Sequence, residues 1–249
     1  MAKKSNSTRL EQLVEDLRKA HGENLASVVL YGSAAAGDHV EDRSDHNLLI
    51  ALNRITTADL HAAHSVVRAW QKLGQPIPIY FTTEELQDAA DVFPIEFLQM
   101  EKARKILYGR DPFEFVEISL ANLRHQTEYE LRTKLIRLRR LYIPASASVD
   151  ELSALMSDSL ASFAALFRAV LILSKEEPPV AKEQVIRAIA RSLNLEAATF
   201  ERILELRSNK GARLTKAEAD SLFSSYMEQI ERVIEAVDRL NEKTRAPND

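Results

Sequence analysis

The sequence predicts an α+β fold, in which a small mixed β-sheet domain is followed by an all-α helical bundle. Two observations lead to this prediction. Up to about Phe115, apolar runs of strand length alternate with helical patterns. After Phe115 the strand signals end and only long helical patterns remain. We therefore place one domain at residues 1–115 and the second at residues 116–249.

Start and stop signals define the elements of the first domain. Thr8 and Glu11 resemble a capping box that opens a helix, and Thr56 or Thr57 can cap another that Gly74 terminates. The pattern predicts helices at 8–20, 58–73 and 83–90 and strands at 28–31, 44–50, 76–81 and 105–108. The segment around Pro94 breaks the pattern, so no helix is predicted there. These elements fit a small mixed sheet with helices on one side.

The second domain consists of helical segments joined by short connections, which is typical of a bundle. Helices are predicted at 115–142, 151–174, 180–193, 197–207 and 216–241. The segment 151–174 is rich in Ala, Leu and Phe almost all round. We therefore expect it to be the central, buried helix.

Composition narrows the class of protein. The 249 residues have a formal net charge of -4 and contain no cysteine, which excludes a disulfide framework and thiolate metal sites. The polar N-terminus lacks the apolar segment of a signal peptide, and the apolar stretch from Leu160 to Leu173 is too short to span a bilayer. We expect a cytoplasmic protein without a membrane partner. The charge argues against a dedicated nucleic-acid binder and leaves a local basic face open.

The segment from Val28 to Ser33 carries the strongest functional signal. Its apolar run predicts a buried strand, and Gly32 lets the backbone turn and lets a phosphate approach without a Cβ in the way. Ser33 offers a hydroxyl and a backbone N–H. The three alanines that follow favour a helical turn whose free N–H groups would face an anion. A tight turn with no ligand is the structural alternative.

The second part of the signal is Ser44-Asp45-His46-Asn47, which leads into the next apolar strand. Residues two apart on a strand share a face. Asp45 and Asn47 are therefore expected on one face, with His46 on the other, core-facing side. The structural alternative is an aspartate that caps a loop where the strand begins.

These two motifs together resemble the signature of the nucleotidyltransferase superfamily that includes DNA polymerase beta and kanamycin nucleotidyltransferase. The resemblance implies that Gly32, Ser33 and Ser44 bind a nucleoside triphosphate and that Asp45 and Asn47 bind magnesium as the catalytic pair. The superfamily has Asp-x-Asp where this chain has Asp45 and Asn47. The Ser-Asp-x-Asn form is similar to that of an uncharacterised bacterial group of nucleotidyltransferase-domain proteins.

Two-metal phosphoryl transfer needs several carboxylates around magnesium. Asn47 is neutral, and the strand predicted at 76–81, where the third carboxylate of the superfamily usually lies, holds no acid. Asp38, Glu41 and Asp42 in the loop are the available substitutes. The sequence therefore predicts a weakened magnesium site.

The helix predicted at 115–142 carries a cluster of basic residues. Arg132 and Arg139 are seven residues apart and share one side of the helix, so we expect them to bind the triphosphate. Glu128 and Glu130, pairing with Arg132 and Lys134 on a solvated helix face, give the structural alternative.

Three functions remain open. The favoured one is a nucleotide-binding protein whose nucleotidyl transfer is weak or lost, acting through a partner or an RNA end. The second is an active enzyme that transfers a nucleoside monophosphate to a small molecule, RNA or protein. The third is a helical, antitoxin-like module that binds a protein partner or forms a homo-oligomer.

Overall fold

The computed structural model describes residues 6–32, 34–35, 45–179, 181–208 and 213–245, and only the backbone of Asn6, Lys102 and residues 241–245. The chain divides into two compact units, Met1–Ser119 and Leu120–Asp249. The sequence pattern placed this boundary near Phe115. The α+β class is confirmed: the first unit contains a four-stranded mixed sheet and the second is helical where it is described.

The first unit alternates helices and strands. Its helices are α1 (Asn6–His21), α2 (Thr57–Ala62), α3 (His64–Lys72), α4 (Thr83–Asp88) and α5 (Pro94–Lys102), and its strands are β1 (Leu25–Tyr31), β2 (Asn47–Leu52), β3 (Ile79–Thr82) and β4 (Arg104–Gly109). The sheet order is β3-β2-β1-β4. Strands β2 and β3 are parallel, whereas β1 is antiparallel to both β2 and β4. The sheet is therefore mixed, as predicted.

Both faces of the central strands are buried, which explains why β1 and β2 are apolar at almost every position. One face packs on α1 and α3 through Leu17 and Trp70. The other face packs on α4 and α5 through Leu86 and Phe97. The expectation of helices on one side of the sheet was therefore wrong.

Several local predictions for this unit need correction. Helix α1 begins at Asn6, upstream of the predicted Thr8 cap, and the helix predicted over 58–73 is divided at the buried Ala63. The pattern around Pro94 predicts a break, but helix α5 begins there, because proline in the first helical turn lacks only an N–H that the helix does not use. Strand β3 begins only at Ile79, since the prolines before it cannot donate to a sheet ladder.

The second unit is built from five long helices among its described residues. They are α6 (Leu120–Ala145), α7 (Val149–Leu173), α8 (Lys182–Ser192), α9 (Ala197–Arg207) and α10 (Lys216–Arg245). Helix α6 begins five residues later than expected and continues through Pro144. The other four agree with the predicted helices to within a few residues.

Helix α7 is the centre of the bundle, as expected from its composition. It packs against α6, α8, α9 and α10, and its Phe163 and Phe167 form an aromatic cluster with Phe200 of α9 and Tyr226 of α10. By length and composition alone α7 could also cross a membrane, with a mean hydropathy of 1.6 over 18 residues. Half of that window is buried in the bundle, as in the core helix of a globular domain.

Candidate functional site

The candidate site lies at the edge of the sheet where β1 ends and β2 begins. Tyr31, the last residue of β1, pairs directly with Asn47, the first residue of β2. Gly32 follows with a φ of +81°, a conformation that a side chain disfavours. Its N–H donates to the carbonyl oxygen of Ala103 at 2.9 Å, and its own carbonyl oxygen accepts from the N–H of Ala35 at 2.9 Å. One hydrogen bond therefore anchors the turn to Ala103, the residue before β4, and the other closes the turn.

Gly32 is also the residue of the turn that faces Asn47. A Cβ built on Gly32 would lie 3.3 Å from Nδ2 of Asn47. The glycine thus keeps an open approach between the turn and the first side chain of β2. The side chain of Asp45, two residues earlier, is exposed, and that of Asn47 is half-buried.

His46 fixes the start of β2 from the opposite face. Its backbone N–H donates to Oε1 of Gln75 at 2.8 Å, and its Nδ1 lies 3.2 Å from the same oxygen. The imidazole is buried edge-on against Trp70, with 6.1 Å between ring centroids. His46 therefore belongs to the core, as expected from strand alternation.

Two of the predicted nucleotide-binding residues, Ser33 and Ser44, lie outside the described residues. The same holds for the loop acids Asp38, Glu41 and Asp42. The predictions for all five therefore remain predictions.

Carboxylates are scarce around the described part of the site. No group of three or more His, Cys, Asp or Glu side chains that could hold a metal ion occurs in the part of the chain that the structure describes. Glu85, which follows β3, is engaged elsewhere, because its Oε2 accepts from the N–H of Thr82 at 2.7 Å in a capping box. Among the described residues at this end of the sheet, the candidate metal ligands are one carboxylate, Asp45, and one amide, Asn47. This set does not fit a two-magnesium centre.

No sequence motif predicted a basic residue at this end of the sheet, but the strand register reveals one. Arg104 of β4 pairs with Tyr31, so that Asn47, Tyr31 and Arg104 occupy one row across three strands. The guanidinium is held by Oδ2 of Asp111 at 2.7 and 2.9 Å and by the carbonyl oxygen of Glu101 at 2.5 Å. Its charge is thus already neutralised. Burial raises the pKa of the neighbouring Tyr31, which keeps its phenol protonated.

A cavity of about 430 Å³ opens beside this edge but on the other face of the sheet. Its apolar floor includes Val14, Leu30 and Leu107, and Glu11 and Lys105 are among its polar lining residues. Leu30 and His46 belong to the face opposite Asn47. The cavity is therefore separated by the sheet from the side chain of Asn47.

Arg132 and Arg139 are held by acids within the bundle. Arg132 Nε donates to Glu128 Oε1 at 2.8 Å, and Arg139 Nη2 donates to Glu231 Oε1 of α10 at 2.6 Å. Arg132 also lies 3.8 Å from Asp238 of α10. Both arginines therefore lie on one side of α6, as their spacing predicted, and the structure places this side next to α10. Both side chains remain about half exposed. Their role in binding a triphosphate stays a prediction.

The structural alternative for the basic cluster, in which Glu128 and Glu130 pair with Arg132 and Lys134, is correct in part. The pair of Glu128 with Arg132 is present. Lys134 instead donates to Oγ of Ser162 on α7 at 2.8 Å. Glu128 also binds Arg124, at 2.8 Å, so one carboxylate serves two arginines. Burial alone would raise the pKa of Glu128, but hydrogen bonds from Arg132 and Arg124 and their charges outweigh it and lower that pKa.

The fold is similar to that of a solved enzyme. A spectinomycin adenyltransferase, AAD(9) from Enterococcus faecialis, solved with ATP and spectinomycin, matches with a TM-score of 0.57 at 15% sequence identity. The match covers 92% of this chain and 99% of that chain. No protein-family model matches the chain, and no curated protein matches it by sequence. The chain therefore has a nucleotidyltransferase-like fold, as the motifs around Gly32 and Asp45 predicted.

Proposed function

We propose that this protein binds a nucleoside triphosphate at the turn after β1 and that its nucleotidyl transfer is weak or lost. The observation that carries the proposal is the geometry of Gly32. This residue has a positive φ and lies between two hydrogen bonds of the turn, with no side chain between it and Asn47. An open backbone turn of this kind suits a phosphate group. The AAD(9) enzyme, which shares the fold, was solved with ATP.

The proposal of weak transfer rests on charge. A triphosphate and an attacking hydroxyl need divalent cations, which neutralise the phosphates and lower the pKa of the hydroxyl. Magnesium prefers carboxylate oxygens in a rigid octahedral arrangement. Asp45 supplies one carboxylate, and Asn47 supplies only a neutral amide oxygen. At least one of two magnesium ions would therefore bind weakly.

The second candidate is an active nucleotidyltransferase. It is favoured by the extent of the structural match, which covers both units of the chain and nearly all of an enzyme solved with ATP and an acceptor. In this case a further carboxylate must complete the metal site. The two candidates differ in a measurable quantity, the rate of transfer from a labelled triphosphate.

Calorimetric titration with ATP, GTP, CTP and UTP in magnesium tests nucleotide binding, with Gly32→Ala as the decisive variant. Alanine at this position is strained at a φ of +81° and places its Cβ 3.3 Å from Asn47. Gly74→Ala is the matched control, since Gly74 has a φ of +80° and open space around its Cβ position.

Both alanine variants should lose similar stability, on the order of 1 kcal/mol, but only Gly32→Ala should weaken triphosphate binding. Equal triphosphate affinity in the two variants would show that the turn at Gly32 does not bind the nucleotide. A folded wild-type protein that binds none of the four nucleotides at millimolar concentration would contradict the proposal itself.

Asn47→Asp tests the metal argument. The added carboxylate should tighten magnesium binding by roughly tenfold, or ~1.4 kcal/mol, and raise the transfer rate. Asn122→Asp in the first turn of α6 makes the same change of net charge away from the sheet and should alter neither. Wild-type turnover at ordinary enzyme rates of ~1 per second or more, with no gain from Asn47→Asp, would establish the active-enzyme alternative.

The proposed nucleotide-binding residues also include two arginines of the bundle, Arg132 and Arg139. Replacing Arg132 and Arg139 with alanine should weaken triphosphate binding by roughly 1–3 kcal/mol for each charged hydrogen bond that is lost, and the salt dependence of binding should flatten. Because both guanidinium groups are now paired with carboxylates, the nucleotide must compete with these acids. Unchanged affinity in the double variant would assign the arginines to bundle stability alone.

A further inference from the structure

Exposed apolar side chains in the bundle are concentrated on one helix. Among the described residues of this unit, all the large hydrophobic side chains that are exposed belong to α6. They are Leu120, Tyr129, Ile136, Leu141 and Ile143, with exposed fractions from 42% to 74%. Single exposed apolar residues are normal on a protein surface, whereas a group on one element indicates an interaction.

Three of these five residues form a continuous line. Tyr129, Ile136 and Ile143 are seven residues apart, and positions seven apart return to the same side of a helix within about 20°. We call these three residues the α6 stripe. Leu141 is rotated by about 120° from Tyr129 and is not part of it. The core-facing side of the same helix is formed by other residues, Leu131, Leu135 and Leu138.

The charged side chains near the α6 stripe on the helix surface include four arginines, which differ in whether an acid pairs with them. Arg140 lies between Ile136 and Ile143 on the helix surface, and Arg137 lies one turn before Arg140. Both are exposed. Within the ranges that the structure describes, neither guanidinium has a hydrogen-bond or ion-pair partner. In this they differ from Arg132 and Arg139, which are held by acids on α6 and α10.

We propose that the α6 stripe, with Arg137 and Arg140, docks an acidic amphipathic helix of a partner protein. An apolar line with a seven-residue period supplies one apolar position in each heptad for contact with a second helix, and Arg132 and Arg139 occupy the position three residues further on. Two unpaired arginines beside this line complement carboxylates that flank the seam of the partner, because guanidinium and carboxylate groups form bidentate pairs. The proposal uses none of the residues that are proposed to bind the nucleotide, so it does not rest on the proposed function.

A second copy of this chain fits the surface less well. An antiparallel pair of α6 helices about a two-fold axis would match the apolar stripes, since such a stripe is self-complementary. The same pairing brings Arg137 of one helix close to Arg137 of the other, and like charges across an interface are costly. The charge pattern therefore favours an acidic partner over self-association.

The experiment uses fluorescence anisotropy of a labelled synthetic peptide with the full-length protein. The probe is a helical peptide of about three heptads with Leu at the a and d positions and Glu at e and g. A second probe carries Lys in place of every Glu. The key variant is Ile136→Glu, which places a charge in the middle of the α6 stripe. Leu141→Glu is its matched control, because it introduces the same charge at an exposed residue of the same helix outside the stripe.

We expect the acidic probe to bind the wild type, and its dissociation constant to rise by about tenfold in Ile136→Glu and to rise much less in Leu141→Glu. The Arg137→Ala, Arg140→Ala double variant should lose several-fold in affinity and most of the salt dependence. The basic probe should not bind. Circular dichroism should show equal helicity in all variants, since Ile136 is 57% exposed.

Four outcomes would overturn the proposal. They are equal effects of Ile136→Glu and Leu141→Glu, binding of the basic probe as tightly as the acidic one, and failure of the wild type to bind the acidic probe at all. The fourth is a concentration-dependent dimer in sedimentation velocity that Ile136→Glu abolishes, because the α6 stripe would then be covered by a second copy.

Discussion

The described parts of the α/β unit and of the helical bundle differ in how many buried polar atoms lack a hydrogen-bond partner. In the described part of the first unit, both ring nitrogens of His21, Nε1 of Trp70 and the hydroxyl of Tyr80 are buried without a hydrogen-bond partner. In the described part of the bundle only Oγ1 of Thr127 is in this state. Other buried polar side chains of the bundle form hydrogen bonds, as in Tyr226, whose hydroxyl lies 3.1 Å from Oγ of Ser159.

The difference indicates a division of roles. Unpaired polar groups and strained backbone are costly, and folds retain them mostly where function needs them. The unpaired polar groups lie mainly in the first unit, whereas the positive φ angles of non-glycine residues, at Lys175 and Asn194, lie in the bundle. We therefore expect most of the stability to come from the core of the bundle, and the α/β unit to respond more to small changes of structure and pH.

The largest expected loss of stability is that of a substitution in the core of the bundle. Phe167→Ala removes a fully buried ring that contacts Phe163 and Phe200, and it should lower the free energy of unfolding by about 3–5 kcal/mol. Denaturant unfolding followed by circular dichroism measures the loss. Ile136→Ala, on the exposed side of α6, should change stability by about 0.5 kcal/mol or less. Similar losses for the two variants would contradict the assignment of α7 as the core.

The next effect tests backbone crowding in the α/β unit. At Gly109 an added Cβ would lie 1.9 Å from the carbonyl oxygen of Ala26, so Gly109→Ala must displace β4 from β1. Gly74→Ala has nearly the same φ but open space. We expect Gly109→Ala to cost about 1–3 kcal/mol more than Gly74→Ala. Equal thermal unfolding midpoints for Gly109→Ala and Gly74→Ala would show that the sheet accommodates the added Cβ without loss of stability.

A smaller effect is expected from the shared carboxylate in the bundle. Glu128→Gln leaves the buried Arg124 with a weaker acceptor and should lower the free energy of unfolding by about 1–2 kcal/mol at neutral pH. Because the pKa of Glu128 is lowered in the folded state, this stability is present above about pH 4.5 and is lost as the pH falls through the folded pKa. The same measurement on Glu130→Gln, with no ion pair in the described structure, should show almost no change.

The smallest effect is the pH response of the α/β unit. Burial lowers the pKa of His21, and the charge of Asp59 offsets part of this lowering. An unfolded histidine binds its proton near pH 6.5, so stability is full above this pH and falls as the pH decreases toward the folded pKa. His21→Phe should therefore lose less stability between pH 7 and pH 5 than the wild type does. The exposed His61 supplies the control variant, His61→Phe, whose pH profile should match that of the wild type.

Much of the fold could be predicted because it depends on local signals. The apolar runs of β1 and β2 and the three- and four-residue spacing of the bundle helices are visible without any tertiary information. Helix α5 was missed because a proline at the start of a helix and a proline that ends one look the same in isolation. The burial of both sheet faces was also missed, since a short apolar strand does not reveal which elements will cover it.

The sequence predicted only those candidate site residues that belong to short contiguous motifs. Gly32, Asp45 and Asn47 follow from the order of residues along two neighbouring strands. Arg104 could not be found in this way, because its position beside Tyr31 depends on the register between β1 and β4. The pairing of Arg139 with Glu231 is likewise a contact between distant parts of the chain.

Local sequence patterns were sufficient to predict the α+β class, the four strands, the bundle helices and the turn at Gly32 that leads to Asp45 and Asn47, but not helix α5. These depend on side-chain periodicity and on the conformational freedom of glycine, which act within a few residues. The pairing of charged side chains, by contrast, depends on tertiary contacts. In the part of the chain that the structure describes, Arg132 and Arg139 pair with carboxylates, whereas Arg137 and Arg140 have no such partner. The partners of a long charged side chain depend on the packing of distant helices, and local sequence does not specify that packing.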